Sequence, residues 1–107
     1  MPKYLIQASY TAEGTKGIVR DGGSKRRASV EEMVKRLGGT LEAFYFAFGD
    51  ADVYLICDIP DVASAAAISL AVNASGAVEL KTIPLISVEE IDLAAKKQVG
   101  YSAPGTA

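Results

Sequence analysis

The sequence predicts an α+β domain: a four-stranded, antiparallel-dominated sheet with its helices on one face. Three observations carry this expectation. Residues 3–10, 40–48, 53–59 and 77–86 are short apolar segments rich in aromatic and β-branched residues, and 3–10 alternates between an apolar and a more polar side. Residues 24–37 and 62–75 have helical character and are followed by glycine stop signals at Gly38-Gly39 and Gly76. The resulting order, β-α-β-β-α-β and then a further helix, is the split βαβ pattern of ferredoxin-like folds, which implies strand order 4-1-3-2.

In the first strand, Tyr4, Ile6, Ala8 and Tyr10 share one face, and Leu5, Gln7 and Ser9 the other. Thr11 can cap a short helix over about 12–20, which Gly14 and Gly17 weaken and Gly22-Gly23 ends. Ser24 can cap the next helix, whose Val30, Met33, Val34 and Leu37 recur at i, i+3, i+4 and i+7. Ser29 and Glu32 have capping-box spacing, which offers a later start for the same helix.

The run TLEAFYFAF at 40–48 places Phe44, Phe46 and Phe48 on one face and Leu41, Ala43, Tyr45 and Ala47 on the other. Gly49-Asp50-Ala51-Asp52 reads as the turn into VYLICDI at 53–59, which Pro60 stops. A simple hairpin would set Phe48 opposite Val53 and Phe46 opposite Leu55. The three Phe then join Val53, Leu55, Cys57 and Ile59 on a dense apolar face. Tyr45 and Ala47 join Tyr54, Ile56 and Asp58 on the opposite one.

Asp61 caps the helix at 62–75, which has no charged residue after the cap. Such a helix is expected to be covered on more than one side. Pro84 removes a ladder donor, so the last strand is expected at an edge, or to end at a bulge there. Ser87 and Glu90 form a capping box opening a helix at about 88–97, with Lys96 and Lys97 in its last turn. Residues 1–97 are expected to form a single domain, and 98–107 a tail.

Composition narrows the chemistry. The chain has 107 residues, half of them apolar, with a net charge of −2, one Cys and no His or Trp. One Cys excludes an internal disulfide, and the missing His removes the commonest general base and metal ligand. No apolar run is long enough to span a membrane. No signal-peptide layout, Gly-rich phosphate loop or metal-ligand spacing appears, so the expectation is a cytoplasmic protein with no metal or other cofactor and no membrane or nucleic-acid partner. Asn73-Ala74-Ser75 is formally a glycosylation sequon, without meaning where secretion is not indicated.

The segment Gly49-Asp50-Ala51-Asp52 after FYFAF resembles the GYD family of small bacterial proteins, named for a Gly-x-Tyr-Asp type segment at this hairpin. Tyr10-Thr11-Ala12-Glu13-Gly14, Arg26-Arg27, Leu37-Gly38-Gly39, Ala74-Ser75-Gly76 and Tyr101-x-x-Pro104-Gly105 add to the likeness, which covers nearly the whole chain. One departure is Ala51, where the motif would carry Tyr. The resemblance implies a ferredoxin-like fold related to dimeric α+β barrels. It implies no activity, because the family largely lacks an assigned one.

The open sheet face is the principal candidate site. It would gather Gln7, Ser9, Tyr45, Tyr54, Asp58 and Lys81 among Leu5, Ile56, Ile83 and Leu85. An apolar surface with a few convergent polar groups suits a small-molecule pocket, and equally an oligomer interface, where Tyr is enriched. Gly49 and Asp52 are turn formers first, with an acidic ligand contact at the rim as the alternative. The basic cluster of Lys16, Arg20, Lys25, Arg26, Arg27, Lys35 and Arg36 reads as a solvated helix face with pairs such as Glu31–Lys35 and Glu32–Arg36. An anion site at Arg26 or Arg27 is its minority reading. Cys57 reads as a buried, inert thiol.

Two function classes follow. The first is a small homo-oligomeric binding or scaffold module that uses the open face and takes a small-molecule ligand. The alternative is a cofactor-independent enzyme with Asp58, Tyr45 or Tyr54 in place of a His base. Tyr101 in the tail is expected to dock across a subunit boundary.

Overall fold

The computed structural model describes residues 1–106. Its elements are β1 (Lys3–Tyr10), α1 (Ala12–Asp21), α2 (Gly23–Arg36), β2 (Thr40–Phe46), β3 (Val53–Asp58), α3 (Val62–Ala74), β4 (Val78–Leu85) and α4 (Val88–Ala95). The four strands form one antiparallel sheet in the order β2-β3-β1-β4, the predicted order read from the other edge.

The helix-covered face holds the core. Tyr4, Ile6 and Ala8 of β1 meet Val53, Leu55 and Cys57 of β3, with Ile59 just beyond it. Val30 and Val34 of α2 and Ala65 and Ile68 of α3 close over them. Phe44 packs against this cluster and meets Phe46 edge-on at 5.4 Å between ring centroids. β4 is an edge strand, as Pro84 requires. Asn73 of the sequon has a structural task there: its Oδ1 accepts from Leu80 N at 2.8 Å. Pro84 has the same strand parity as Leu80, so the donor it lacks is one that would point away from β1. The exposed edge is thereby blunted at two places.

The hairpin departs from its expected register. Phe46 opposes Val53 and Phe44 opposes Leu55, a two-residue shift that keeps the faces but leaves Phe48 fully exposed in the loop. The cause lies in β1: Asp52 N donates to Ala8 O at 2.8 Å, so Asp52 extends the β1–β3 side and the β2–β3 turn starts earlier. A bulge between Leu41 and Ala43 makes a second correction. Leu41 opposes Cys57 and packs against the core instead of lying with Ala43 and Tyr45. Without the bulge, Glu42 would share the parity of Phe44 and face the core.

The helices differ from expectation in detail. α2 starts at Gly23 behind Gly22, at φ +82, so neither Ser24 nor Ser29 is its cap. That left-handed residue is what breaks α1 from α2. Gly14 weakens α1 for a reason: a Cβ there would run into Ala77 O, which accepts from Thr11 N at 3.0 Å and anchors the start of α1 to the start of β4. α3 buries only Ala65 and Ile68 and leaves Val62 and Leu70 exposed, so its expected second cover is missing within one chain. Lys96 is the C-cap of α4 and Lys97 follows it, so neither lies in the last turn.

Every residue from Ile83 to Thr106 is exposed, α4 included. The molecule measures 61 × 32 × 22 Å, and its radius of gyration is 17.4 Å. A compact chain of this length has about 13 Å. Ala107, the end of the expected tail, lies outside the described residues.

Candidate functional site

The sheet registers sort the open face into rows that run across the four strands. Tyr45, Tyr54, Gln7 and Lys81 stand side by side in one row. The next is apolar: Ala43, Ile56, Leu5 and Ile83. The third is Thr40, Asp58, Lys3 and Leu85. Strand pleating alone produces this banding, because residues i and i+2 share a face and the antiparallel registers align them. Among the described residues, no helix covers this face.

The charged row is occupied with itself. Lys3 Nζ donates to Glu42 Oε2 at 2.7 Å and to Asp58 at 3.1 and 3.3 Å. The bulge brings Glu42 to this face. These two carboxylates hold the Lys3 ammonium above its ordinary value. Asp58 is therefore one of two carboxylates paired with the Lys3 ammonium. It is also remote from the tyrosines: it lies four steps along β3 from Tyr54, about 13 Å. The six sequence-predicted residues thus divide. Gln7, Tyr45, Tyr54 and Lys81 share a row, Ser9 lies one step beyond it on β1, and Asp58 sits at the other end.

The polar end has a depression of about 420 Å³ lined by Gln7, Ser9, Lys81, Asp50, Ala51 and Asn73, among others. Asp50 and Ala51 come from the hairpin turn. Sequence reading missed Asp50 because a turn aspartate has no face until the turn is placed. Behind Ile56, on the core side, burial pushes the Cys57 thiol up to about 11, with the Asp58 charge adding to it. A thiol with no exposed surface and a raised pKa fits the inert reading.

The turn residues have a structural task. Asp52 Oδ2 accepts from Tyr10 N at 2.8 Å, while Asp52 O accepts from Ala47 N at 2.8 Å. One residue thus joins the end of β1 to both arms of the hairpin. The local turn chemistry expected of Asp52 is replaced by a bond to a residue far away in sequence. Beside it, on the helix side, Tyr10, Thr15, Ile18, Phe46, Phe48 and Asp52 border an apolar hollow of about 400 Å³. Burial holds the Tyr10 phenol above its ordinary value, with Arg26 opposing and Asp52 adding.

This turn and its strands fall inside a match to a known domain: the GYD domain model covers residues 4–95. The chain belongs to the GYD domain family. No curated protein and no solved structure matches it. In this GYD domain the turn position expected to carry Tyr is the buried Ala51, which borders the depression beside Gln7 and Ser9.

The basic cluster is largely a solvated surface. Arg36 pairs with Glu32 at 3.0 Å and Lys25 with Asp21 at 3.7 Å. The expected Glu31–Lys35 pair does not form, whereas Arg20 bonds Asp21 and holds its carboxyl below the usual range. Arg26 is the half-buried member and borders a cleft of about 280 Å³ between α1 and α2. Among the described residues, no helix is long and apolar enough to cross a membrane.

Proposed function

We propose that this GYD domain is a homo-oligomeric binding module whose open sheet face is buried against a second copy and encloses a small organic ligand at its polar end. The observation that carries the reading is the row order of that face. An uncovered apolar band, Ala43–Ile56–Leu5–Ile83, lies beside a row of Tyr45, Tyr54, Gln7 and Lys81. The band supplies the hydrophobic drive for association, and the polar row supplies direction and specificity. Two tyrosines give large apolar bodies with polar tips, suited to an interface or to stacking on a planar ligand. The depression beside Gln7, Ser9 and Lys81 adds both donors and acceptors.

The enzymatic alternative loses its strongest member, because Asp58 is held by Lys3 and lies far from both tyrosines. Light scattering at micromolar concentration tests the assembly. A mass of at least twice 11.2 kDa is expected, and a species of 11.2 kDa alone overturns the reading. Native mass spectrometry of the assembly then tests the ligand. A bound small molecule that is lost on denaturation, and is absent from a Tyr54→Ala, Gln7→Ala variant, is the expected result.

A further inference from the structure

α4 is specified as a helix by its sequence but touches almost nothing. Ser87 Oγ accepts from Glu90 N at 3.1 Å and Glu90 Oε1 accepts from Ser87 N at 3.2 Å, a complete capping box. A helix of eight residues is marginal in water by itself, since isolated helices below ~12–15 residues rarely hold. Its side chains are not those of a solvated helix. Val88, Ile91 and Ala95 fall at i, i+3 and i+7 on one side, and Ile86, Val99 and Tyr101 around it are exposed as well. The two-residue link Ile86–Ser87 joins this arm to β4, every residue of the arm from Ile86 to Thr106 is exposed, and the chain measures 61 Å in its longest dimension.

The surface area makes the same point in numbers. One chain exposes 7506 Å². A compact monomer of 11.2 kDa exposes about 5,700 Å², so roughly 1,800 Å² is in excess. A stable dimer buries about 800 Å² per partner, which this excess more than supplies.

We infer that the arm is exchanged: α4 and the segment to Tyr101 of one copy dock on the open sheet face of a second copy, and reciprocally. This rests on the homo-oligomeric reading above and names the element that does the covering. The dimensions agree. The Val88–Ala95 stripe is about 10 Å long at 1.5 Å per residue. The apolar band crosses four strands, about 14 Å. Lys81 flanks the band and Asp92 flanks the stripe, and neither has an ion-pair partner within the chain among the described residues. Six residues carry the chain from Ala95 to Tyr101, a reach of up to about 20 Å. The row of Tyr54 and Gln7 lies only about 7 Å from the band. Tyr101 of the docked arm therefore reaches the polar end and closes the depression there. The arrangement is isologous: each copy gives one arm and receives one.

Complementation between two broken chains tests the exchange. Ile91→Asp spoils the arm and Ile56→Glu spoils the face, each in a full-length chain whose fold is checked by circular dichroism. Each variant alone is expected to associate at least about thirtyfold more weakly than wild type, the effect of one interface hot spot. An equimolar mixture is expected to recover a heterodimer, because one intact arm then meets one intact face. Leu93→Asp, on the opposite side of α4, should associate like wild type. If Ile91→Asp associates as tightly as wild type, the sheets pair without the arm, and the exchange is wrong while the oligomeric reading stands. A mixture that stays monomeric also overturns the exchange. A wild-type chain that runs at 11.2 kDa overturns both.

Discussion

Leu55 and Ile56 are consecutive residues of β3 with similar side chains and opposite surroundings. Leu55 is buried under the helices, between Ile6 of β1 and Phe44 of β2. Ile56 stands half-buried on the bare face, between Leu5 and Ala43. One face of the sheet is completed by its own chain, down to the fully covered Cys57 and Ile59. The other carries an equally ordered pattern of rows with nothing laid over it. Alternate residues of the same strands are thus covered by the helices or left open. A substitution's effect should depend on its parity more than on its chemistry.

The sharpest way to break this comparison is to truncate both neighbours. Leu55→Ala is expected to cost about 3 kcal/mol in urea unfolding, through lost transfer energy plus a cavity, at any protein concentration. Ile56→Ala should cost about 1 kcal/mol in dilute solution, because its side chain is only half removed from water. That loss should grow with protein concentration, since the substitution weakens the associated state. Equal, concentration-independent losses would mean that the two faces are not different.

Cys57 sharpens the comparison from the covered side. Its thiol lies at about 11 in the folded chain against 9.0 without burial. The folded value is the higher one, so the stability tied to the neutral thiol is complete below pH 9 and is lost as pH rises toward 11. About 2–3 kcal/mol should disappear across that window through the thiol, and Cys57→Ala should remove that part of the loss, leaving the part due to Tyr10 and Lys3. A thiol reagent at pH 8 should label the wild-type chain only in denaturant.

Much of this was legible in the sequence. Alternation in KYLIQASY and VYLICDI assigns every residue of β1 and β3 to the correct face, because both strands are regular throughout. Pro84 points to an edge strand because a missing donor is harmless where no neighbouring strand needs it, a bulge being the other place the sequence allowed. β2 is where pattern reading failed. Its bulge turns Leu41 inward and Glu42 outward, and the signal was present: a strict alternation puts a carboxylate beside Phe44 in the core. That the candidate residues share one sheet face was legible, but their division into rows was not. Which polar residues share a row depends on interstrand register, and Asp58 is separated from Tyr54 by the same alternation that puts both on one face. Asp52 was read as a turn residue because its partner, Tyr10 N, belongs to another strand.

Asp52 joins β1 to the hairpin at the end of the sheet, so it affects both faces at once. Asp52→Ala leaves the part-buried Tyr10 N–H without an acceptor and should cost about 2 kcal/mol. Asp52→Asn keeps an oxygen in place and should recover more than half of that. Hydrogen exchange at the Tyr10 amide should quicken in the alanine variant. If it does not, the carboxylate is not what protects that amide.

The smallest effect comes from α1, where the same contrast between covered and open positions recurs within one helix. Gly14 and Gly17 are both helical, and helix propensity alone says that alanine at either should stabilise by up to about 1 kcal/mol. Their surroundings differ. A Cβ at Gly17 meets nothing within 4 Å, while one at Gly14 meets Ala77 O and the Tyr10 ring. Gly17→Ala should therefore raise the melting midpoint by a few degrees. Gly14→Ala should lower it, because the backbone carbonyl that receives Thr11 N has no side-chain torsion by which to move away. Opposite signs for the same substitution three residues apart would place the α1–β4 contact in the folded chain. A gain at both positions would show that α1 does not approach β4 closely enough to require glycine.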